Sequence, residues 1–201
     1  VILGVKPYGV EGVIQTLLPH LHPEATVVSM AAGVSLWQIE RYLGTDERSM
    51  IRIMPNTPCT VGMGVIQYAA MNTSEDKKAA FVSAFSAAGL LDEIAESQID
   101  AASALSGCGP AFVYLFAEAL ADGAVECGLP RDKAILYAAK TLQGAGKMLE
   151  EYRSAGDLKD AVCSPGGTTI TGVHALESSG FRAATMNAVV SAYKRTLELK
   201  K

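Results

Sequence analysis

The run Val1-Ile2-Leu3-Gly4-Val5, closed by Lys6-Pro7, opens the pattern that decides the fold of the first half of the chain. A short, uninterrupted apolar run is typical of a strand that is buried on both faces of a parallel sheet. Apolar residues at helical spacing follow from Val10 to Leu21, and strand and helix patterns then alternate up to Ile94. Strands that alternate with helices predict an α/β fold built on a doubly wound parallel sheet.

The second half of the chain carries no further strand signal. Helical patterns punctuated by Gly and Pro run from about residue 97 to the end, so we predict a domain boundary near Ala95. Residues 1–95 are then a sheet domain and residues 96–201 an all-α domain. An Ala-rich helical half with many apolar faces has little sheet to cover them, which predicts self-association as a homodimer or larger.

Composition limits the classes of function. The 201 residues carry a formal net charge of −4 and no basic block, which argues against nucleic acid or an anionic membrane as a partner. The apolar runs are too short to span a bilayer, and the chain opens without the basic region of a signal peptide. Four scattered cysteines without a Cys-x-x-Cys pair indicate free thiols and a cytoplasmic protein: Cys59, Cys108, Cys127 and Cys163.

The sequence predicts neither a metal site nor a glycine-rich phosphate-binding turn. His20 and His22 form the only His-x-His, but no other His or Cys lies near them in sequence, so no metal site is predicted. No Gly-x-Gly-x-x-Gly occurs in the chain, although a dinucleotide-binding fold uses that turn and the following helix to hold the pyrophosphate. We therefore expect two βα units, roughly 60 residues, to be missing ahead of Val1.

The segment Ser164-Pro165-Gly166-Gly167-Thr168-Thr169 is the most informative one in the chain. Its two glycines allow positive φ and close approach of a ligand, and the helix that follows would present free backbone N–H groups to a carboxylate or phosphate. An ordinary tight turn with a threonine N-cap explains the same six residues. Both interpretations stay open at the level of the residues.

Three strand-end turns add a second candidate region. Lys6, the turn Ala31-Ala32-Gly33 and the segment Met54–Pro58 each follow a predicted strand. Ligands of open α/β sheets bind outside the carboxyl ends of the strands, so these turns are expected to share one ligand-binding edge.

These segments together, in this order, resemble pyrroline-5-carboxylate reductase. The matching stretches are Val5-Lys6-Pro7, Ala31–Val34, Met54–Pro58, Leu105–Ala111, Leu158–Asp160, Ser164–Thr169, His174–Glu177 and Gly180–Arg182. The resemblance runs essentially from end to end, and Ser-Pro-Gly-Gly-Thr-Thr is its most specific part.

The resemblance implies a Rossmann-type NAD(P)-binding domain, incomplete at its front, followed by a helical dimerisation and substrate-binding domain. It implies NADPH or NADH as cofactor, 1-pyrroline-5-carboxylate as substrate and L-proline as product. The residues implied at the cofactor are Gly4, Val5, Lys6, Pro7, Met30, Ala31, Ala32 and Asn56. Those implied at the substrate are Glu96, Ser164, Gly166, Gly167, Thr168 and Thr169, with the Thr169 hydroxyl on the imine nitrogen as the catalytic contact.

Two alternatives remain at this stage. A related two-domain hydroxy-acid dehydrogenase would use a lysine of the helical domain, for which Lys140 or Lys147 could be proposed. The second alternative is a non-catalytic oligomeric fragment, because the phosphate-binding turn is absent. In that case the 201 residues alone are expected to lack activity.

Overall fold

The computed structural model describes residues 1–199, which form a five-stranded sheet and a set of helices. The strands are β1 (Ile2–Leu3), β2 (Val27–Ser29), β3 (Met50–Met54), β4 (Gly64–Met71) and β5 (Gly89–Glu93). The helices between and after them are α1 (Val10–Leu17), α2 (Leu36–Leu43), α3 (Glu75–Phe85), α4 (Ile99–Ser106), α5 (Gly109–Glu126), α6 (Arg131–Tyr152), α7 (Ala155–Ala161), α8 (Thr168–Ser178) and α9 (Phe181–Glu198). The predicted change from alternating strands and helices to helices alone is therefore confirmed.

The strands lie in the order β1-β2-β3-β4-β5. β1, β2 and β3 are parallel and β5 is parallel to β4, but β4 runs antiparallel to β3. The predicted parallel sheet is confirmed for three of the four strand pairs, and the β3–β4 pair is the exception. A parallel crossover needs a dozen or more residues, whereas residues 55–63 form only a short 3₁₀ turn and its flanks, so the chain reverses direction.

Both faces of the sheet are covered, which explains why its strands read as continuous apolar runs. One face packs on α1, α2 and α4 through a cluster that includes Leu3, Ile39 and Ile99. The other packs on α3 through Ile51, Ile53 and Phe81 of a second cluster. Alternate residues of β3 therefore point to opposite cores.

Local sequence signals set both ends of α2 and the start of α3. Ser35 and Gln38 form a reciprocal capping box at the start of α2, and Gly44 ends that helix in the left-handed conformation. Ser74 caps α3 by accepting a hydrogen bond from the Lys77 backbone N–H. The Ser35 cap was predicted from the sequence and is confirmed.

The described chain divides into two compact units. One comprises Val1–Pro110 with the described residues from Val189 onward, and the other comprises Ala111–Ala188. The sheet unit extends beyond residue 95, where the strands end, because Asp100 and Ser106 of α4 are hydrogen-bonded to side chains of β3, β4 and the β3–β4 turn.

The helical unit has a small internal core and a large apolar surface. Its buried cluster consists of Ala121, Ala134 and Ala138, where α5 meets α6. A groove of about 540 Å³ runs between α5 and the helices α8 and α9, with an almost wholly apolar lining. Leu115, which lines that groove, is 69% exposed. Such a contiguous apolar surface marks an interaction site.

One described segment, Glu96–Glu126, is long and apolar enough to cross a bilayer by length and composition, contrary to the sequence-based expectation of short runs. It contains α4 and α5, which are separated at residues 107–108. Apolar residues between Phe112 and Leu120 line the groove between α5 and the helices α8 and α9. The surface of a partner protein would cover these residues as a bilayer would.

The exposed groove predicts that the chain sediments as a dimer or a larger assembly. Leu115→Glu should raise the dissociation constant at least a hundredfold: burying one leucine contributes about 1.5–3 kcal/mol, and a symmetric interface buries it twice. Ala79→Glu adds the same charge at an exposed position of α3 and should leave the assembly unchanged. Analytical ultracentrifugation measures both, and a stable wild-type monomer would contradict the prediction.

Candidate active site

One candidate region, in the sheet unit, is the edge of the sheet at which β1, β2 and β3 end. The parallel register pairs Leu3 with Ser29 and Ser29 with Arg52, so the three strand-end turns lie at the same edge, as the strand order requires. Gly4 to Pro7 follow β1, Met30 to Ala32 follow β2, and Asn56 follows β3.

The first two turns present small residues and open backbone. Gly4, Val5, Lys6 and Pro7 are exposed, and so is Ala32. The methyl group of Ala31 is buried and Met30 is half-buried against the second core cluster, so these two offer backbone rather than side-chain contacts. These two turns therefore place exposed residues and one ammonium group, that of Lys6, at this edge of the sheet.

Asn56 holds the third turn together. Its Nδ2 donates to the Ser106 carbonyl oxygen at 3.0 Å, and its Oδ1 accepts from the Val65 backbone N–H at 2.9 Å. The amide thus joins the end of β3, the start of β4 and the end of α4. The Asn56 side chain thus has a structural role, because both its amide nitrogen and its amide oxygen are hydrogen-bonded within the protein.

Arg52 was missed by the sequence interpretation. It lies in the middle of the apolar strand β3, is 2% exposed, and makes ion pairs of 3.1 Å with Glu96 and 3.0 Å with Asp100. A charged residue between Ile51 and Ile53 is the signal that could have drawn attention to it, because a buried guanidinium needs carboxylate partners. The two partners themselves lie 44 and 48 residues from Arg52 in sequence, so no local pattern identifies them.

Glu96 lies beside this arginine, at the start of the segment that carries α4. Its Oε1 accepts hydrogen bonds from the Leu36 backbone N–H at 2.7 Å and from Arg52 Nη1 at 3.1 Å. Glu96 therefore connects α2 and β3. One of its two carboxylate oxygens, Oε1, makes both of these hydrogen bonds within the protein.

A second, separate candidate region is the turn before α8 in the helical unit. Gly166 has φ of +69°, in the left-handed region, and Gly167 is the N-cap of α8 with φ of −77°. The Gly167 N–H donates to the Ser164 carbonyl oxygen, and a Cβ on Gly167 would collide with the Ser164 hydroxyl. Only the first glycine needs positive φ; a Cβ on the second would displace the Ser164 hydroxyl and would lie 3.1 Å from the Ser164 carbonyl oxygen.

The threonine N-cap alternative is wrong. Thr168 and Thr169 are the first two residues of α8, and no side chain caps the helix. The hydroxyl of Thr171 is already bonded to the Gly167 carbonyl oxygen. Both Thr168 and Thr169 are exposed, and the first N–H groups of α8 have no partner within the helix.

Charged residues near α8 are largely paired with one another. A groove of about 350 Å³ contains Lys159, Glu177 and Arg182. The hydrogen bond from Arg182 lowers the pKa of Glu177, and the hydrogen bond to Asp160 raises the pKa of Lys159. Because these charges pair with one another on the surface, they add little net electrostatic field near α8.

The other candidate residues form no chemical cluster. Lys140 donates to Gln143 and Lys147 to Glu150, both along the exposed surface of α6. The imidazole Nδ1 of His22 accepts from the Glu24 backbone N–H. Among residues 1–199 no group of three or more His, Cys, Asp or Glu could hold a metal ion.

Comparison with known proteins places the chain among one group of enzymes. A family model described as pyrroline-5-carboxylate reductase dimerisation matches residues 96–199. Two relatives named pyrroline-5-carboxylate reductase, from Glycine max and Methanosarcina acetivorans, are each 46% identical; the matches cover 99% and 100% of this chain and 73% and 74% of the relatives.

Solved structures agree. Plasmodium falciparum pyrroline carboxylate reductase with NADP bound matches with a TM-score of 0.90 and 33% identity, over 100% of this chain and 81% of that one. A pyrroline-5-carboxylate reductase from Coxiella burnetii matches with a TM-score of 0.91 and 36% identity, over 100% of this chain and 76% of that one.

The turn before α8 predicts opposite effects for two glycine-to-alanine changes. Gly166→Ala should destabilise the protein by about 1–2 kcal/mol, because an alanine there must adopt the left-handed conformation. Gly172→Ala should stabilise it by about 0.5–1 kcal/mol, because that glycine lies inside α8 with open space around it. Denaturant unfolding measures both, and equal effects would contradict the described turn.

Proposed function

Because the chain belongs to the pyrroline-5-carboxylate reductase family, we propose that it reduces 1-pyrroline-5-carboxylate to L-proline with NADPH or NADH, the last step of proline biosynthesis. The observation that carries the proposal is the uncapped start of α8, where Thr168 and Thr169 are exposed behind the Gly166-Gly167 turn. We assign residues 1–95 to the cofactor and residues 96–201 to dimerisation and substrate binding.

The substrate's carboxylate binds at the start of α8 in this proposal. The first N–H groups of an α-helix have no partner inside the helix, and the helix dipole favours a negative charge there. Ser164, Gly166 and Gly167 shape the turn, and the Thr168 hydroxyl adds a further donor. The left-handed Gly166 turn holds these groups in place before the substrate arrives, so little order has to be created on binding.

Reduction of the C=N bond needs a hydride at carbon and a proton at nitrogen. When bound, NAD(P)H supplies the hydride, and the protein's task is to hold the imine in the right orientation. The Thr169 hydroxyl hydrogen-bonds the imine nitrogen. A threonine is too weak an acid to release its proton at neutral pH, so the proton comes from water or is already on the imine.

The cofactor borders the sheet edge in this proposal, along Gly4, Val5, Lys6 and Pro7, along Met30, Ala31 and Ala32, and near Asn56. Support comes from the parallel register, which brings these turns to one edge, and from their exposed backbone. Glu96 is retained as a substrate neighbour by the family resemblance. The four free cysteines support a reducing compartment, for which we propose the cytoplasm.

Thr169→Ala and Thr169→Val are expected to lower kcat/KM for 1-pyrroline-5-carboxylate about ten- to a hundredfold, since losing a hydrogen bond to the protonated imine, a charged group, costs about 1.5–3 kcal/mol. NAD(P)H affinity should hardly change. Thr171→Ala on the same helix is the matched control, because its hydroxyl is satisfied by the Gly167 carbonyl oxygen. Steady-state kinetics of the full-length enzyme measure these effects. Wild-type kcat/KM in both Thr169 variants would contradict the proposed hydrogen bond from Thr169 to the imine nitrogen.

A second prediction concerns the cofactor. The 201 residues contain no Gly-x-Gly-x-x-Gly, so by themselves they should bind NAD(P)H weakly, without the N–H groups that hold a pyrophosphate. Calorimetric titration of this chain against the product of the complete gene tests the point. Equal affinities would show that the pyrophosphate is held by residues other than such a turn.

A further inference from the structure

Two donors hold the carboxylate of Glu96 by a single oxygen. Arg52 Nη1 and the Leu36 backbone N–H both donate to its Oε1, at 3.1 Å and 2.7 Å. A carboxylate oxygen accepts through two lone pairs, so these two donors occupy Oε1 fully. The hydrogen bonds found within residues 1–199 leave Oε2 unused, and the Glu96 side chain is 27% exposed. Oε2 is therefore the oxygen of Glu96 that a ligand can reach.

Asp100 anchors the guanidinium of Arg52 from the other side. Its Oδ1 accepts from Arg52 Nη2 at 3.0 Å, and both side chains are almost fully buried. A guanidinium presents its donors in a rigid, planar fork, so the pairing of one branch with Asp100 directs the other branch at Glu96. The orientation of Glu96 thus depends on a buried residue that lies 44 positions earlier in the sequence.

The three charged groups do not cancel one another. One guanidinium, that of Arg52, faces two carboxylates, those of Glu96 and Asp100, which leaves one negative charge in excess. Asp100 is almost fully buried, whereas Glu96 reaches solvent, so the excess charge is available on the side of Glu96. A partly desolvated carboxylate favours a cation beside it. In the proposed function the substrate supplies that cation, because the imine nitrogen of 1-pyrroline-5-carboxylate is positively charged once it is protonated.

We propose that Arg52 is a positioning residue for the reduction, because it holds Glu96 with Oε2 facing the protonated imine of the substrate. The inference deepens the proposed function and rests on it, since Glu96 is a substrate neighbour there. Arg52 itself is 2% exposed and acts through Glu96. The carboxylate favours the protonated imine, to whose carbon the hydride adds while the electron pair of the C=N bond passes to nitrogen. Because Glu96 is oriented before the substrate arrives, little order has to be created on binding.

Glu96→Gln tests whether the free oxygen faces a cation. L-Proline carries a positively charged ring nitrogen at neutral pH, and cyclopentanecarboxylate has the same ring and carboxylate with carbon in its place. In the full-length enzyme, Glu96→Gln should raise the inhibition constant of L-proline about ten- to a hundredfold, since it replaces a hydrogen bond between charged groups. The inhibition constant of cyclopentanecarboxylate should stay the same.

Arg52→Lys tests whether Arg52 acts through Glu96. A lysine keeps the positive charge but lacks the fork, so kcat/KM for 1-pyrroline-5-carboxylate should fall about tenfold while Kd for NADPH stays unchanged. In the Glu96→Gln background the same change should have no further effect on kcat/KM, because the two residues act as one unit. Ser49→Ala is the matched control: Ser49 is buried before β3 and bonded to Thr26 and Thr73, so its loss should lower stability and spare kcat/KM.

A second variant covers the case in which Arg52→Lys does not fold. Arg52→Met combined with Asp100→Asn removes the guanidinium without leaving an unpaired buried carboxylate, and it should lower kcat/KM in the same way. An Arg52 effect of equal size in the Glu96→Gln background would overturn the positioning role, and so would equal losses for L-proline and cyclopentanecarboxylate. A wild-type enzyme that does not reduce 1-pyrroline-5-carboxylate would instead overturn the proposed function, and the inference with it.

Discussion

The guanidinium of Arg52, buried between the carboxylates of Glu96 and Asp100, ties the architecture of the sheet unit together. Removing one partner from such a buried pair typically costs about 3–5 kcal/mol, whereas the exposed ion pairs of this chain belong to a class worth about 0–1 kcal/mol each. The network joins β3, α2 and α4, three elements that are distant in sequence. Their relative positions, and therefore the shape of the sheet edge, follow from it.

The helical unit depends on a different constraint. Its internal core is an alanine cluster, and its large apolar side chains line an open groove along α5, α8 and α9. The unit cannot bury that surface alone, which agrees with the dimerisation family that matches residues 96–199. The same unit carries the Gly166-Gly167 turn, so the stretch of chain that supports assembly also presents the candidate anion site.

Much of the fold could be predicted because its signals are local. Ser35 caps α2, and the apolar run Met50–Met54 forms a strand as expected. The direction of β4 could not be read from its own residues, since it depends on the length of the turn before it. The partners of Arg52 were equally hidden, because a pairing over 44 residues leaves no local pattern. Within the Gly166-Gly167 pair, the sequence could not show which glycine adopts positive φ.

In the proposed function, the start of α8 binds the substrate through its carboxylate. The most direct measurement is an NMR titration of the backbone amides of Gly167, Thr168 and Thr169 with L-proline, compared with L-prolinamide, which lacks the carboxylate. The account predicts saturable shifts of these amides with L-proline and weak or no shifts with L-prolinamide. Equal shifts with both ligands, or shifts confined to other parts of the chain, would contradict it.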